Sequence, residues 1–212
     1  MPVLLCFGDS NTHGTPPMRQ QGEYRRFDAA TRWPVLAAKA LGWDLVEEGL
    51  PGRTAQFADP VMGAHMDGRE GLKMALQSHG PIDFLTIMLG TNDAKARYGA
   101  SPELITGGIA ALLDIAQSPE MQDRHCGFRI LLICPPPVLE QGPIMDQFYG
   151  ARARGLALPP LFSDLARARR CGFLDAGTLM QVSPQDGVHF EAEAHAALAQ
   201  GVARALGDLA SG

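Results

Sequence analysis

Phe84-Leu85-Thr86-Ile87-Met88-Leu89-Gly90-Thr91-Asn92-Asp93 runs almost wholly apolar and then breaks into a turn of glycine, amide and acid. A strand with one face in water alternates, whereas a strand covered on both faces does not. This run therefore predicts a central strand of a parallel sheet with helices on either side. Val3 to Phe7 and Ile130 to Cys134 have the same character, and Asp44 to Glu48 and Phe173 to Asp175 are weaker strand candidates. Helical patterns fall between them. Pro34 in a first turn and Gly42 at the stop bracket a helix over Trp33 to Leu41. Ser101-Pro102-Glu103 opens another, in which Ile105, Ile109, Leu112, Leu113 and Ala116 recur at helical spacing, although Gly107 and Gly108 each cost about 1 kcal/mol against alanine. A last helix follows His189. Its apolar face carries Phe190, Ala194, Ala197, Leu198, Gly201, Val202, Ala205 and Leu209, and Glu191 and Glu193 suit the positive end of its dipole. Such alternation argues for βαβ units and a three-layer α/β/α sandwich around about five parallel strands, with the strand order left open.

The 212 residues suit one domain over 1–212, long enough to bury about 70% of the surface the unfolded chain exposes. No repeat, low-complexity tract or linker interrupts it. With 18 basic and 23 acidic residues the net charge is −5, and no Lys/Arg run marks a helix, so nucleic acid is not an expected partner. Asp9 breaks the first apolar run too early for a signal peptide or a membrane span, and the expected location is cytoplasmic. Four scattered cysteines make no disulfide framework or CxxC site; Cys6 and Cys134 lie in strand-like runs and read as buried thiols. Thr15 to Thr31, and Pro135 to about Pro160, read as long irregular segments of the kind that form lids, binding walls or contact surfaces.

In an open parallel sheet, ligands sit outside the carboxyl ends of the strands. Gly8-Asp9-Ser10, Gly49-Leu50-Pro51-Gly52, Gly90-Thr91-Asn92-Asp93 and Asp186-Gly187-Val188-His189 each follow a strand or strand end, so all four share one rim. Singly, each could be an ordinary turn or helix cap. Together they bring a serine, a backbone amide, a side-chain amide and an Asp/His pair to one place.

These blocks resemble those of the SGNH hydrolases, the GDSL esterase and lipase superfamily. Gly8-Asp9-Ser10 matches the first block, with Asn11 where the eponymous leucine would stand; Gly52, Gly90-x-Asn92-Asp93 and Asp186-x-x-His189 match the others in order. The fuller strings Cys6-Phe7-Gly8-Asp9-Ser10, Glu47-Glu48-Gly49-Leu50, Arg53-Thr54, Met88-Leu89-Gly90-Thr91-Asn92-Asp93 and Phe173-Leu174-Asp175-Ala176-Gly177 are similar to the bacterial arylesterase/acyltransferase and carbohydrate acetylesterase branch. Tryptophan is usual there where this chain has His13. The resemblance implies a flavodoxin-like SGNH hydrolase fold, Ser10, Asp186 and His189 as catalytic residues, and an oxyanion hole made by the N–H groups of Ser10 and Gly52 with the Asn92 amide.

The residue chemistry agrees with that carry-over. A serine hydroxyl needs a base as it attacks. An imidazole with a reference pKa of about 6.5 is largely neutral at pH 7 and can still hold the transferred proton. Asp186 could fix the tautomer of His189, although Asp186-Gly187 is also a strong turn signal. Asp9 and Asp93 read as supports that bind loop amides, and His13 as a residue shaping the acyl or alcohol pocket. His65, His79, His125 and His195 lack the spacing of a metal site and read as surface or capping histidines, so neither metal nor cofactor is expected.

The expected activity is hydrolysis of short, acetyl-type esters of aryl alcohols or sugars through an acyl-enzyme on Ser10, with acyl transfer as a side activity. A lysophospholipase or thioesterase on the same scaffold, a flavodoxin-like binding module without catalysis, and a metal-dependent phosphatase are the rivals. Ile144, Met145, Phe148, Tyr149, Leu156, Leu158, Leu161 and Phe162 lie in a segment too rich in Pro and Gly for one continuous helix and need a burial partner. A homo-oligomer that packs them between subunits is favoured over an intramolecular lid.

Overall fold

The computed structural model describes residues 1–212. Five strands, β1 (Val3–Gly8), β2 (Asp44–Gly49), β3 (Phe84–Met88), β4 (Arg129–Cys134) and β5 (Gly172–Asp175), form one sheet in the order β2-β1-β3-β4-β5. Every neighbouring pair is parallel. The strands lie where the apolar runs predict them, because residues buried on both faces need not alternate. Leu4 and Cys6 of β1 enter one buried cluster and Leu5 and Phe7 the other, as the two-residue side-chain period requires.

Seven helices cover the sheet: α1 (Ser10–His13), α2 (Trp33–Leu41), α3 (Gly68–Ser78), α4 (Pro102–Ala116), α5 (Pro119–Arg124), α6 (Ala151–Ala168) and α7 (Ala192–Ser211). Trp33 of α2 and Leu198, Val202 and Leu206 of α7 pack on one face. Leu72 and Leu76 of α3, Ile105, Ile109 and Leu112 of α4 and Leu158 and Phe162 of α6 pack on the other. The chain moves from β1 outward to β2 and then returns past β1 to β3. That reversal opens a crevice at the carboxyl ends of β1 and β3, the switch point of a doubly wound sheet.

Residues 15–32 contain no helix or strand, as expected, but the second long segment is irregular only as far as Gly150. Beyond it α6 runs for 18 residues with Pro159 and Pro160 inside. The prolines remove two helical N–H donors, yet Gly155, Leu158, Phe162 and Ala166 make a buried stripe at helical spacing, and tertiary packing overrides the local penalty. The same packing revises the burial argument for assembly. Ile144, Phe148, Leu158 and Phe162 are all buried within their own chain, and exposure is confined to Met145, Tyr149 and Leu156 among the large apolar side chains named there. Helix α3 was not anticipated, although Asp67 caps it by accepting from Arg69 N–H at 3.0 Å.

Two histidines also depart from the surface reading. His195 is fully buried in α7, where its Nδ1 accepts from Trp33 N–H at 3.3 Å. His125 ends α5 as a cap should but is buried, with Nδ1 accepting from Ile82 N–H and Nε2 donating to the Leu76 carbonyl. No helix is long and apolar enough to cross a membrane.

Candidate active site

The first block is a forced turn. A side chain at Gly8 would meet Thr12 Oγ1 at 2.1 Å, and one at Gly49 would meet His13 N at 2.2 Å, so only glycine lets α1 pack this tightly on the ends of β1 and β2. Asp9 caps α1 by accepting from Asn11 N–H at 2.9 Å. Ser10 is the first residue of that single turn, so its N–H has no acceptor within the helix. Ser10 is itself buried, 6% exposed. Asn11 donates through Nδ2 to the Val188 carbonyl at 3.1 Å, which ties the serine turn to the Asp/His loop. A leucine there could not make that bond.

The last block is held as firmly. Gly187 has φ +75°, and any Cβ would lie 2.0 Å from the Leu139 carbonyl oxygen. Fully buried Asp186 accepts four hydrogen bonds: Val188 N–H (3.0 Å) and His189 N–H (2.9 Å) at Oδ1, Met18 N–H (2.7 Å) and His189 Nδ1 (2.6 Å) at Oδ2. Burial pushes its carboxyl up, but the His189 ring and the backbone amides together hold it below the usual carboxylate range. Asp186 thus is both a turn residue and the partner of the imidazole. Because the acceptor is a carboxylate, the neutral ring carries its proton on Nδ1 and keeps its lone pair on Nε2.

A cavity of about 550 Å³ opens at the crevice, and Ser10, Gly52, Asn92 and His189 all line it. Met18, Val61, Met62, Ile144, Phe148 and Val188 supply apolar wall, and Lys95 and Arg97 bring positive charge. No hydrogen bond joins Ser10 Oγ to His189 Nε2; such bonds tighten when substrate is bound. A larger cleft of about 910 Å³ lies near the amino ends of β4 and β5, among Arg129, Gly172 and Gly212, and holds no residue of the four blocks.

Gly52 stands at φ +92°, with its N–H unclaimed by any acceptor in the chain. Asn92 Nδ2 donates to the Arg53 carbonyl at 3.1 Å and makes a longer, 3.3 Å contact with Asp9 Oδ2. Asp93 accepts the Ala55 N–H at 2.9 Å and so anchors the second block to the third. Asp9 and Asp93 act as loop supports, as expected. Burial pushes Asp9 up to about 6 against the pull of the Asn11 amide, and Asp93 up to about 7 against that of the Ala55 amide. No group of three or more His, Cys, Asp or Glu is placed to hold a metal ion.

His13 does not line this cavity. Its backbone packs against Gly49, and its Nδ1 lies 3.3 Å from Thr15 Oγ1, with the Tyr24 ring beside it at 6.1 Å. It therefore belongs to the inner edge of the 15–31 loop. The residue that sequence reasoning missed is Lys95, one turn beyond Asn92 on the same break from β3. Arg53, by contrast, supports the turn beneath the cavity and does not line it. Its buried guanidinium donates to the Gly8 and Glu48 carbonyls and stacks 4.1 Å from the centre of the Phe7 ring; burial lowers its pKa to about 10.

The five-stranded parallel sheet flanked by helices is an α/β fold that matches SGNH hydrolase structures. Residues 6–197 match the GDSL-like lipase/acylhydrolase family, and the chain belongs to that family. No curated protein matches the sequence. Among solved structures, a carbohydrate acetylesterase from Sinorhizobium meliloti is 31% identical with a TM-score of 0.92, over 99% of this chain and 100% of that one. An aryl esterase from M. smegmatis is 30% identical with a TM-score of 0.93, again over 99% of this chain and 100% of that one.

Proposed function

We propose that this protein is a serine esterase that hydrolyses short-chain esters, of the acetyl type, on aryl alcohols or sugars. The observation that carries the reading is one cavity lined by Ser10, Gly52, Asn92 and His189, with Asp186 bonded to the far side of the imidazole at 2.6 Å. Ser10 Oγ attacks the ester carbonyl as His189 Nε2 takes its proton, and Asp186 stabilises the resulting imidazolium without accepting that proton. Negative charge on the carbonyl oxygen is met by the N–H groups of Ser10 and Gly52 and by Asn92 Nδ2, each typically worth about 2.7 to 4 kcal/mol. For Asn92 this requires turning the 3.3 Å contact to Asp9 toward the oxyanion. The alcohol leaves with the proton from His189, and water completes the cycle on the acyl-enzyme by the same route in reverse. Acyl transfer follows where an alcohol replaces that water.

That two structural neighbours are a carbohydrate acetylesterase and an aryl esterase supports the ester class. The cavity's apolar side chains are interleaved with Gln21, Lys95, Arg97, Asp146 and Gln147, which favours a small acyl group over a lipid tail. The test is a series of aryl esters from acetyl to dodecanoyl, with and without a serine-directed phosphonate. Turnover should fall as the acyl chain lengthens, and the phosphonate should add one covalent mass to the wild type and none to Ser10→Ala. Labelling at another serine, or undiminished turnover in Ser10→Ala, rejects the assignment.

A further inference from the structure

The reaction just described leaves one charged group of the cavity without a task. Lys95 is 5% exposed, and its N–H donates to the Asn92 carbonyl at 3.1 Å, so the turn that places the amide also places the ammonium. No carboxylate lies within ion-pair distance of its Nζ and no protein acceptor takes a hydrogen bond from it. Its aromatic neighbour is Phe148, with the ring centre 5.8 Å away. The other cation of the cavity is already satisfied. Arg97 pairs with Asp59 at 3.0 Å and donates to Gln147 Oε1 at 2.9 Å. Asp146 is the cavity's only acid; it is exposed and pairs with neither cation.

A sequestered ammonium without a counter-ion is costly, and ordinarily it is paired or removed. Burial and the Arg97 charge both work against the Lys95 cation, whereas Asp59, Asp9 and Asp93 favour it. Of these, Asp59 is committed to Arg97 and the Tyr98 hydroxyl, and burial drives Asp9 and Asp93 toward neutrality. In a chain of net charge −5, a cation kept unpaired on the wall of this cavity marks a place for negative charge that arrives with the ligand.

We propose that Lys95 anchors an anionic group of the substrate, so that the preferred esters carry a carboxylate or a comparable anion on the acyl or the alcohol half. This rests on the esterase reading of the same cavity. Lys95 acts here as a specificity residue, and a neutral hydroxyl would meet its hydrogen bonds but not its charge.

Matched pairs test this. 4-Nitrophenyl hemisuccinate against 4-nitrophenyl acetate places the anion on the acyl half; 4-acetoxybenzoate against its methyl ester places it on the alcohol half. For at least one pair, the acidic-over-neutral ratio of kcat/KM should fall about ten-fold or more in Lys95→Gln, a loss of roughly 1.4 kcal/mol in discrimination. The ratio should be largely kept in Lys95→Arg, and it should shrink as salt is raised. An equal loss for acidic and neutral esters would show that Lys95 serves every ester alike and overturn the proposal, as would an unchanged ratio. Should Lys95→Gln not fold, the wild type still decides. Benzoate should inhibit turnover of 4-nitrophenyl acetate more strongly than benzamide does, and less so at high salt; equal inhibition refutes the anchor. No turnover of any aryl ester, neutral or acidic, would strike the esterase reading itself, and calorimetry of benzoate against benzamide binding would then still report on the anion site.

Discussion

Asp186→Asn separates the two tasks that Asp186 performs. The carboxylate accepts four hydrogen bonds, two at each oxygen, and an amide can accept at only one of those positions. If the amide oxygen stays toward the Val188 and His189 N–H groups, its NH2 faces Met18 N–H and His189 Nδ1. The ring must then accept at Nδ1 and carry its proton on Nε2, which removes the base from Ser10; in the serine protease triad the same exchange lowers kcat by about 10⁴. Met18 N–H loses its acceptor, and an unpaired buried donor costs about 1–3 kcal/mol. The opposite flip strands the Val188 and His189 amides at comparable cost. For a chain of this size the loss corresponds to a fall in Tm of about 2–12 °C.

The structure adds a consequence that residue types alone did not give. Met18 lines the cavity and is held there by Asp186, so the substitution should raise KM as well as lower kcat. Steady-state kinetics on 4-nitrophenyl acetate and thermal unfolding of the same preparation read both effects. Near-wild-type turnover would mean that another group orients the ring. A fall in kcat with no loss of Tm and no rise in KM would refute the part of the reasoning that makes Asp186 the anchor of the 15–31 loop.

Asn92→Ala should lower kcat by about 100-fold or more with a smaller change in KM, and a chelator should leave the wild-type rate unchanged; loss with EDTA and recovery with a divalent metal would move the case to the phosphatase class. Stability should depend on pH in two opposed ways. Asp9 and Asp93 have folded values above the reference near 3.9, so the native state binds more protons and stability falls as pH rises from about 4 to about 7, whereas the stabilisation from Asp59, lowered to about 2, is present above about pH 4 and lost as pH falls toward 2. Tm measured across that range should peak on the acid side of neutrality, and Asp93→Asn should flatten the descending limb; a Tm that climbs steadily from pH 4 to 7 contradicts the assignment. For assembly, light scattering at micromolar concentration should give an oligomer mass that Tyr149→Asp with Leu156→Asp lowers, because these side chains are exposed where Phe148 is not; a monomer mass in the wild type rejects the oligomer.

The sheet was legible because its signal is local. Val3 to Phe7, Phe84 to Leu89 and Ile130 to Cys134 are apolar without alternation, and that pattern has one economical explanation, burial on both faces. The four blocks were legible for a related reason. A strand end must turn, the turn must admit close backbone approach, and glycines at 8, 49 and 187 report where contacts of 2.0 to 2.2 Å would exclude a side chain, while Gly52 reports a φ of +92°. Helix α6 was not legible. Its prolines are a local signal against a helix, and what outweighs them is packing of Leu158 and Phe162 against residues far away in sequence.

The cavity wall fails to show in the sequence for the same physical reason. Met18 reaches the site because Asp186, 168 positions away, accepts its N–H, and the turn carrying Val61 and Met62 is set by Asp59, which accepts both of their amides and also holds Arg97 and Tyr98. Arg97 in turn reaches across to Gln147, beside Phe148 on the opposite wall. Each of these links joins loops or single 3₁₀ turns, such as Ala96–Tyr98 and Met145–Gln147, and none leaves a spacing that periodicity could reveal. His13 shows the converse. Three positions from Ser10 it looks like a pocket residue, but the packing of α1 on Gly49 turns it toward Thr15 and Tyr24. Reaction class is therefore carried by short blocks that constrain the backbone locally. The cavity walls are set by buried carboxylates that tie loops together, and perturbing Asp59 or Asp186 should therefore change which esters bind as well as how fast they are cleaved.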